Sequence, residues 1–170
     1  MSFWNKLSSL LPSDFSATVR NGDLEKVKAL LAGKPGLVFK TDTRGWTPLH
    51  YAAHWHQQDV AELLLANKAN VNARANDGFT PLHCAVGQGF KDSAELLLAN
   101  KADVNAQDRE GVAPLHFAVA EGRADLAELL LSSKADVNIE DAEGRTPLQW
   151  AVSKGHSGVA ALLRRHGGHE

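Results

Sequence analysis

The sequence predicts an all-α solenoid of stacked two-helix units, and three observations carry that expectation. The tetrad Thr47-Pro48-Leu49-His50 returns as Thr80-Pro81-Leu82-His83, Ala113-Pro114-Leu115-His116 and Thr146-Pro147-Leu148-Gln149, each 33 residues after the last. A leucine triplet returns at the same step, at Leu63-Leu64-Leu65, Leu96-Leu97-Leu98 and Leu129-Leu130-Leu131. Gly45, Gly78, Gly111 and Gly144 keep the same interval. A fixed period of this size marks a repeat array, in which each unit buries its apolar face only against its neighbours.

Taken in order, residues 1–12 place Phe3, Trp4, Leu7, Leu10 and Leu11 on one helical stripe, broken by polar Asn5, Lys6, Ser8 and Ser9. That amphipathic segment either folds over the first repeat as a lid or lies on a membrane surface or a partner. The ends of a stack need covering and a single Lys6 attracts anionic lipid weakly, so the lid is preferred. Residues 13–44 read as a divergent first repeat: Ser13 or Asp14 caps a short helix, Asn21-Gly22-Asp23 breaks it, and Leu24, Val27, Leu30 and Leu31 line a second. Gly33-Lys34-Pro35-Gly36 then makes a longer turn.

Three full repeats follow at 45–77, 78–110 and 111–143, and a truncated capping repeat at 144–170. Each opens on a Gly in a tight turn. A Thr then caps a helix whose first residue is Pro, where the missing N–H does no harm. A break at His56, Gly89, Gly122 or Gly155 precedes the Leu-rich second helix. Extended connections at Val71-Asn72, Val104-Asn105 and Val137-Asn138 lead back to the next Gly.

These residues, G-x-T-P-L-H-x-A, a helix, a Gly break, a Leu-rich helix and A-D-V-N-A, closely resemble the ankyrin repeat from about Asp14 onward. The resemblance implies an L-shaped unit of two antiparallel helices with a protruding β-hairpin or loop, stacked into a curved solenoid whose usual work is binding proteins. It also implies that the motif histidines bond to the motif Thr and to neighbouring backbone. Departures are Ala113 for the capping Thr, His56 for the break Gly, and Lys68, Lys101 and Lys134 where the family has a Gly in the left-handed region.

Composition narrows the function. Net charge is −2, and no Lys or Arg run suggests a nucleic-acid footprint. Cys84 is the single cysteine, so no intrachain disulfide forms and a reducing, cytoplasmic setting is expected. No phosphate loop occurs and no cofactor is expected. His50, His83 and His116 form a ladder, but stacked helices about 8–10 Å apart hold its rungs too far apart to share one zinc ion, whose ligand nitrogens sit at about 2 Å. His50 and His54 lie four apart on one helix, and a metal-dependent activity there is a distant alternative. Cys84 reads as a spectator.

In folds of this kind the hairpin tips and the exposed side of each first helix line the concave face. Partner contacts are therefore expected at Arg44, Trp46, His54 and Trp55 in the first full unit, and at Asp77, Phe79 and Gln88 in the second. The third contributes Arg109, Glu110, Val112 and Glu121, and the fourth Arg145 and Lys154. Aromatics gather at the N-terminal half, and exposed aromatics dominate interface hot spots. Tyr51, Phe117 and Trp150 are expected to face the core. The basic residues of this face are matched by Asp77, Glu110, Glu121 and Glu143, whereas a nucleic-acid groove needs basic excess. The expectation is a non-enzymatic, monomeric scaffold holding an unidentified protein or peptide, with a membrane-surface adaptor acting through residues 1–12 as the alternative.

Overall fold

The computed structural model describes residues 12–169. The apolar stripe from Phe3 to Leu11 lies outside the described residues. Within them the chain forms paired helices: α1 Pro12–Arg20 with α2 Leu24–Gly33, α3 Pro48–His54 with α4 Gln58–Ala66, α5 Pro81–Gln88 with α6 Lys91–Ala99, α7 Pro114–Ala120 with α8 Ala124–Ser132, and α9 Pro147–Ser153 with α10 Ser157–Arg165. Ser13 and Asp14 lie inside α1, not ahead of it. The turn expected after Gly33 winds into a short 3-10 helix, Pro35–Phe39. Among the described residues no helix is long and apolar enough to cross a membrane.

The first helices of successive pairs pack on each other more extensively than the second helices do. Composition explains the difference. Buried alanines, Ala52, Ala53, Ala85, Ala118 and Ala151, let the first helices approach, whereas Leu64, Leu97, Leu130 and Leu163 fill a wider gap between the second helices. The stack therefore curves toward its first-helix side.

Four rows of hydrogen bonds, three from side chains and one from backbone, tie the units together. His50 Nε2 lies 3.0 Å from the Phe79 carbonyl, His83 Nε2 3.1 Å from that of Val112, and His116 Nε2 3.2 Å from that of Arg145. A carbonyl only accepts, so Nε2 carries the proton. Nδ1 then accepts from the backbone N–H of Thr47, Thr80 or Ala113, each at 3.1 Å. Thr47 and Thr80 add a hydroxyl at 2.8 and 2.9 Å, so threonine here holds the imidazole as much as it caps the helix.

Asparagine forms the second row: Asn72 accepts from the Asp103 N–H, Asn105 from Asp136 and Asn138 from His169. The connections around them turn instead of running extended. Side-chain oxygens of Asn70, Asp103 and Asp136 accept the N–H two residues on, which closes a local turn in place of a strand. At the helix breaks Gln57 donates to the Arg20 carbonyl, Arg123 to those of Val86 and Gly87, and His156 to that of Ala120, satisfying helix ends in the preceding unit. The hairpin tips make the fourth row, with the N–H groups of Asn76, Arg109 and Ala142 donating to the carbonyls of Arg44, Asp77 and Glu110. Each tip is a tight turn, and among the described residues no strand forms. The left-handed backbone expected at the lysines is present, with φ of 66°, 68° and 69° at Lys68, Lys101 and Lys134.

Candidate functional site

Three of the residues singled out at the N-terminal end, Trp46, His54 and Trp55, form a continuous aromatic cluster. The Trp46 ring meets His54 edge-on at 5.3 Å, and His54 meets Trp55 edge-on at 5.3 Å. Trp46 also stacks on His50 and is half-buried, whereas Trp55 is 50% exposed. Arg44 completes the group. Its guanidinium carbon lies 4.4 Å from the Trp46 ring centre, and the same group bonds to Asp42 and to the Tyr51 hydroxyl. Burial and the positive charge of Arg44 push the His54 ring below the usual histidine range, which favours its uncharged form beside that guanidinium.

The middle of the face holds a hollow of about 650 Å³ that gathers Asp77, Phe79, Arg109, Glu110 and Val112 from the expected set. Its wall and floor include Asn76, Asp108, Phe117 and Trp150. Phe79 meets Phe117 edge-on at 5.3 Å. A second hollow of about 600 Å³ brings Arg145 and Lys154 together with Glu143, Gln149 and Trp150. Gln88 and Glu121 are exposed at the ends of α5 and α7 but line neither hollow.

Val112 is only 6% exposed, so it supports the hollow from below and offers a partner little surface. Tyr51, Phe117 and Trp150 pack against the core as expected but are only half-buried, so each also presents an edge to the face. His50 has both ring nitrogens engaged, by Thr47 and by Phe79 O, which leaves no lone pair for a metal shared with His54. Cys84 is buried, and burial pushes its thiol up to about 12, so it holds no thiolate near neutral pH.

An aspartate row was missed. Asp42, Asp108 and Asp141 recur on the 33-residue frame, with Ala75 in the remaining slot. Their Oδ1 atoms pin the tips, accepting from Arg44 and Trp46, from Glu110 and Val112, and from Glu143 and Arg145. Burial raises the Asp141 carboxyl, but bonds from Arg145, the Trp150 indole and Glu143 outweigh it and bring it down to about 2. The periodicity that exposed the histidines was the signal that could have found these carboxylates.

Comparison with known proteins agrees with the geometry. A family model described as ankyrin repeats, in three copies, matches residues 15–108 and 100–170. Over 52 residues the chain is 40% identical to the 2-5A-dependent ribonuclease of Homo sapiens, a stretch covering 31% of this chain and 7% of that protein. The chain thus spans a small part of that relative's length.

Proposed function

The chain belongs to the ankyrin-repeat family, and from that premise we propose that it is a non-catalytic scaffold holding a protein or peptide partner along its tip and first-helix face. Repeats of this family are generally protein–protein interaction modules and are typically non-catalytic. The observation that carries the proposal is the convergence of Arg44, Trp46, His54 and Trp55 at one end of a face that continues into the Phe79 hollow. Trp55 supplies apolar area already exposed, and Trp46 is held rigid by Arg44 and His50, so ordering the anchor costs little on binding. Phe79 is the third anchor. Arg44, Asp77, Arg109 and Glu121 set the orientation, and a reducing cytoplasmic setting remains the proposed location.

The test is crosslinking and mass spectrometry from native lysate with the full chain as bait, run beside Trp55→Ala. Loss of one crosslinked protein in the variant, at unchanged melting temperature, supports the face. An identical crosslink profile overturns it.

A further inference from the structure

The tips of the first full unit and of the truncated fourth unit each contain the same internal triad. In the first, Arg44 Nε lies 3.2 Å from Asp42 Oδ2, its guanidinium lies over Trp46 and 5.9 Å from the Tyr51 ring centre, and the Tyr51 hydroxyl donates to Oδ2 at 2.7 Å. In the fourth, Arg145 Nε lies 2.9 Å from Asp141 Oδ2, its guanidinium carbon is 5.0 Å from the Trp150 ring centre, and the Trp150 indole donates to Oδ2 at 2.9 Å. Each triad is a carboxylate, a guanidinium and an aromatic ring bearing a donor.

The third unit keeps the carboxylate and the ring but lacks both donors. Asp108 stands in the slot of Asp42 and Asp141, and its Oδ1 is held as theirs is, by Glu110 and Val112 N–H groups at 2.8 and 2.9 Å. Where Arg44 stands in the first unit this unit has Glu110, where Arg145 stands it has Val112, and where Tyr51 and Trp150 stand it has Phe117, which cannot donate. Among the described residues no donor reaches Asp108 Oδ2. The carboxylate and Phe117 open onto the same hollow, whose ionic lining is Asp77, Asp108 and Glu110 against Arg109 alone.

We propose that this hollow receives an arginine side chain of the partner's bound segment, its guanidinium paired with Asp108 and laid on Phe117 as Arg44 and Arg145 lie in the first and fourth units. The inference rests on the partner-binding reading above and adds the chemistry of the bound residue. Arginine fits where lysine does not: a planar guanidinium stacks on a ring face while its fork reaches a carboxylate, and a compact ammonium does only the second.

The test is selection of a random peptide library displayed on phage against the immobilised full chain, followed by fluorescence polarisation of the selected peptides as synthetic probes. Expected are peptides with arginine at one fixed position, weakened about tenfold or more when that residue becomes lysine or alanine, as loss of a hot-spot contact requires. Asp108→Asn removes the charge in place and should weaken them similarly. Glu110→Arg returns a guanidinium at the tip position that Arg44 holds and should block them while leaving the fold at least as stable. Peptides selected without arginine, yet weakened by Trp55→Ala, overturn the arginine site and leave the partner face standing. Arginine-bearing peptides indifferent to Asp108→Asn and Glu110→Arg also overturn it. No binders, or binders indifferent to every substitution on this face, defeat both readings.

Discussion

The imidazole of His56 lies flat on the ring of Phe90, the centroids 4.6 Å apart and the planes 8° from parallel. His56 has φ of 55°, in the left-handed region where the other breaks, Gly22, Gly89, Gly122 and Gly155, are glycines. The residue after the break in the next unit explains the exception. Side chains of Gln57, Arg123 and His156 pass so close over Gly22, Gly89 and Gly122 that a Cβ there would sit 2.2, 2.8 and 2.8 Å from them. Phe90 has no polar group to send to the preceding helix end and stacks on His56 instead.

The pair should therefore behave as one unit. His56→Gly relieves about 1 kcal/mol of left-handed strain but loses a ring contact of similar size, about 0.5–1.5 kcal/mol, so alone it should be near neutral. Phe90→Arg alone places a guanidinium where the His56 ring lies and should destabilise. The double substitution recreates the arrangement of Gly89 with Arg123, and urea denaturation should give a favourable coupling of about 1 kcal/mol or more. Simple additivity would show that the two positions are independent.

Ala113 is fully buried and departs from a slot that Thr47, Thr80 and Thr146 fill without clash. His116 Nδ1 keeps its bond from the Ala113 N–H but lacks the hydroxyl that His50 and His83 receive. Ala113→Thr should add about 1 kcal/mol and raise the melting temperature by about 2–4 °C. A calorimetric scan showing no rise or a fall would refute the assignment.

Acid stability follows from the histidine ladder. Burial lowers the rings of His50 and His116, and takes His83 down to about 4, while their carbonyl partners only partly oppose it. An unfolded histidine takes up its proton near pH 6.5, whereas the folded His83 refuses it until about pH 4. Between those values the unfolded state binds more protons, so stability falls as pH drops, by up to about 1.4 kcal/mol per pH unit for each histidine. Asp141 acts lower: its stabilisation is complete above the ordinary 3.8 and is lost as pH falls through about 2. Urea midpoints measured from about pH 7.5 to about pH 4.5 should stay near level down to about pH 6.5 and decline below it. His83→Gln should flatten the curve, because Gln149 already accepts the Thr146 N–H at 2.9 Å in the equivalent slot without a titratable ring.

The helix pairs were legible because they follow from strict periodicity, and the bridging role of the histidines followed from the resemblance to the ankyrin repeat. The partial exposure of Tyr51, Phe117 and Trp150, which pack at the margin of the core, was not legible. Each follows a fully buried motif residue or its Gln counterpart on a helix of seven residues, and one step of 100° takes a side chain from the centre of the core stripe to its edge. At that edge hydropathy does not distinguish core from groove. Val112 failed for the opposite reason: its slot is surface for Arg145, half-buried for Trp46 and Phe79, and covered only where a short aliphatic residue lets the neighbours close over it.

Asp108 and Asp141 occupy equivalent slots but should tolerate neutralisation differently. Asp141 is buried, and its Oδ2 receives the Trp150 indole and the Arg145 guanidinium, each at 2.9 Å. Replacing that oxygen with an amide sets N–H groups against N–H groups and leaves Arg145 without its partner. Asp141→Asn should therefore cost about 1.5–3 kcal/mol, the range for a hydrogen-bonded charged group. Asp108→Asn keeps the Oδ1 bonds to Glu110 and Val112, changes only the oxygen without a donor, and relieves its proximity to Asp77 and Glu110 across the hollow. Its stability in urea should match the parent chain within about 0.5 kcal/mol. Equal losses at the two sites would mean that Asp108 Oδ2 has a structural partner of its own and is not held open for one that arrives with the ligand.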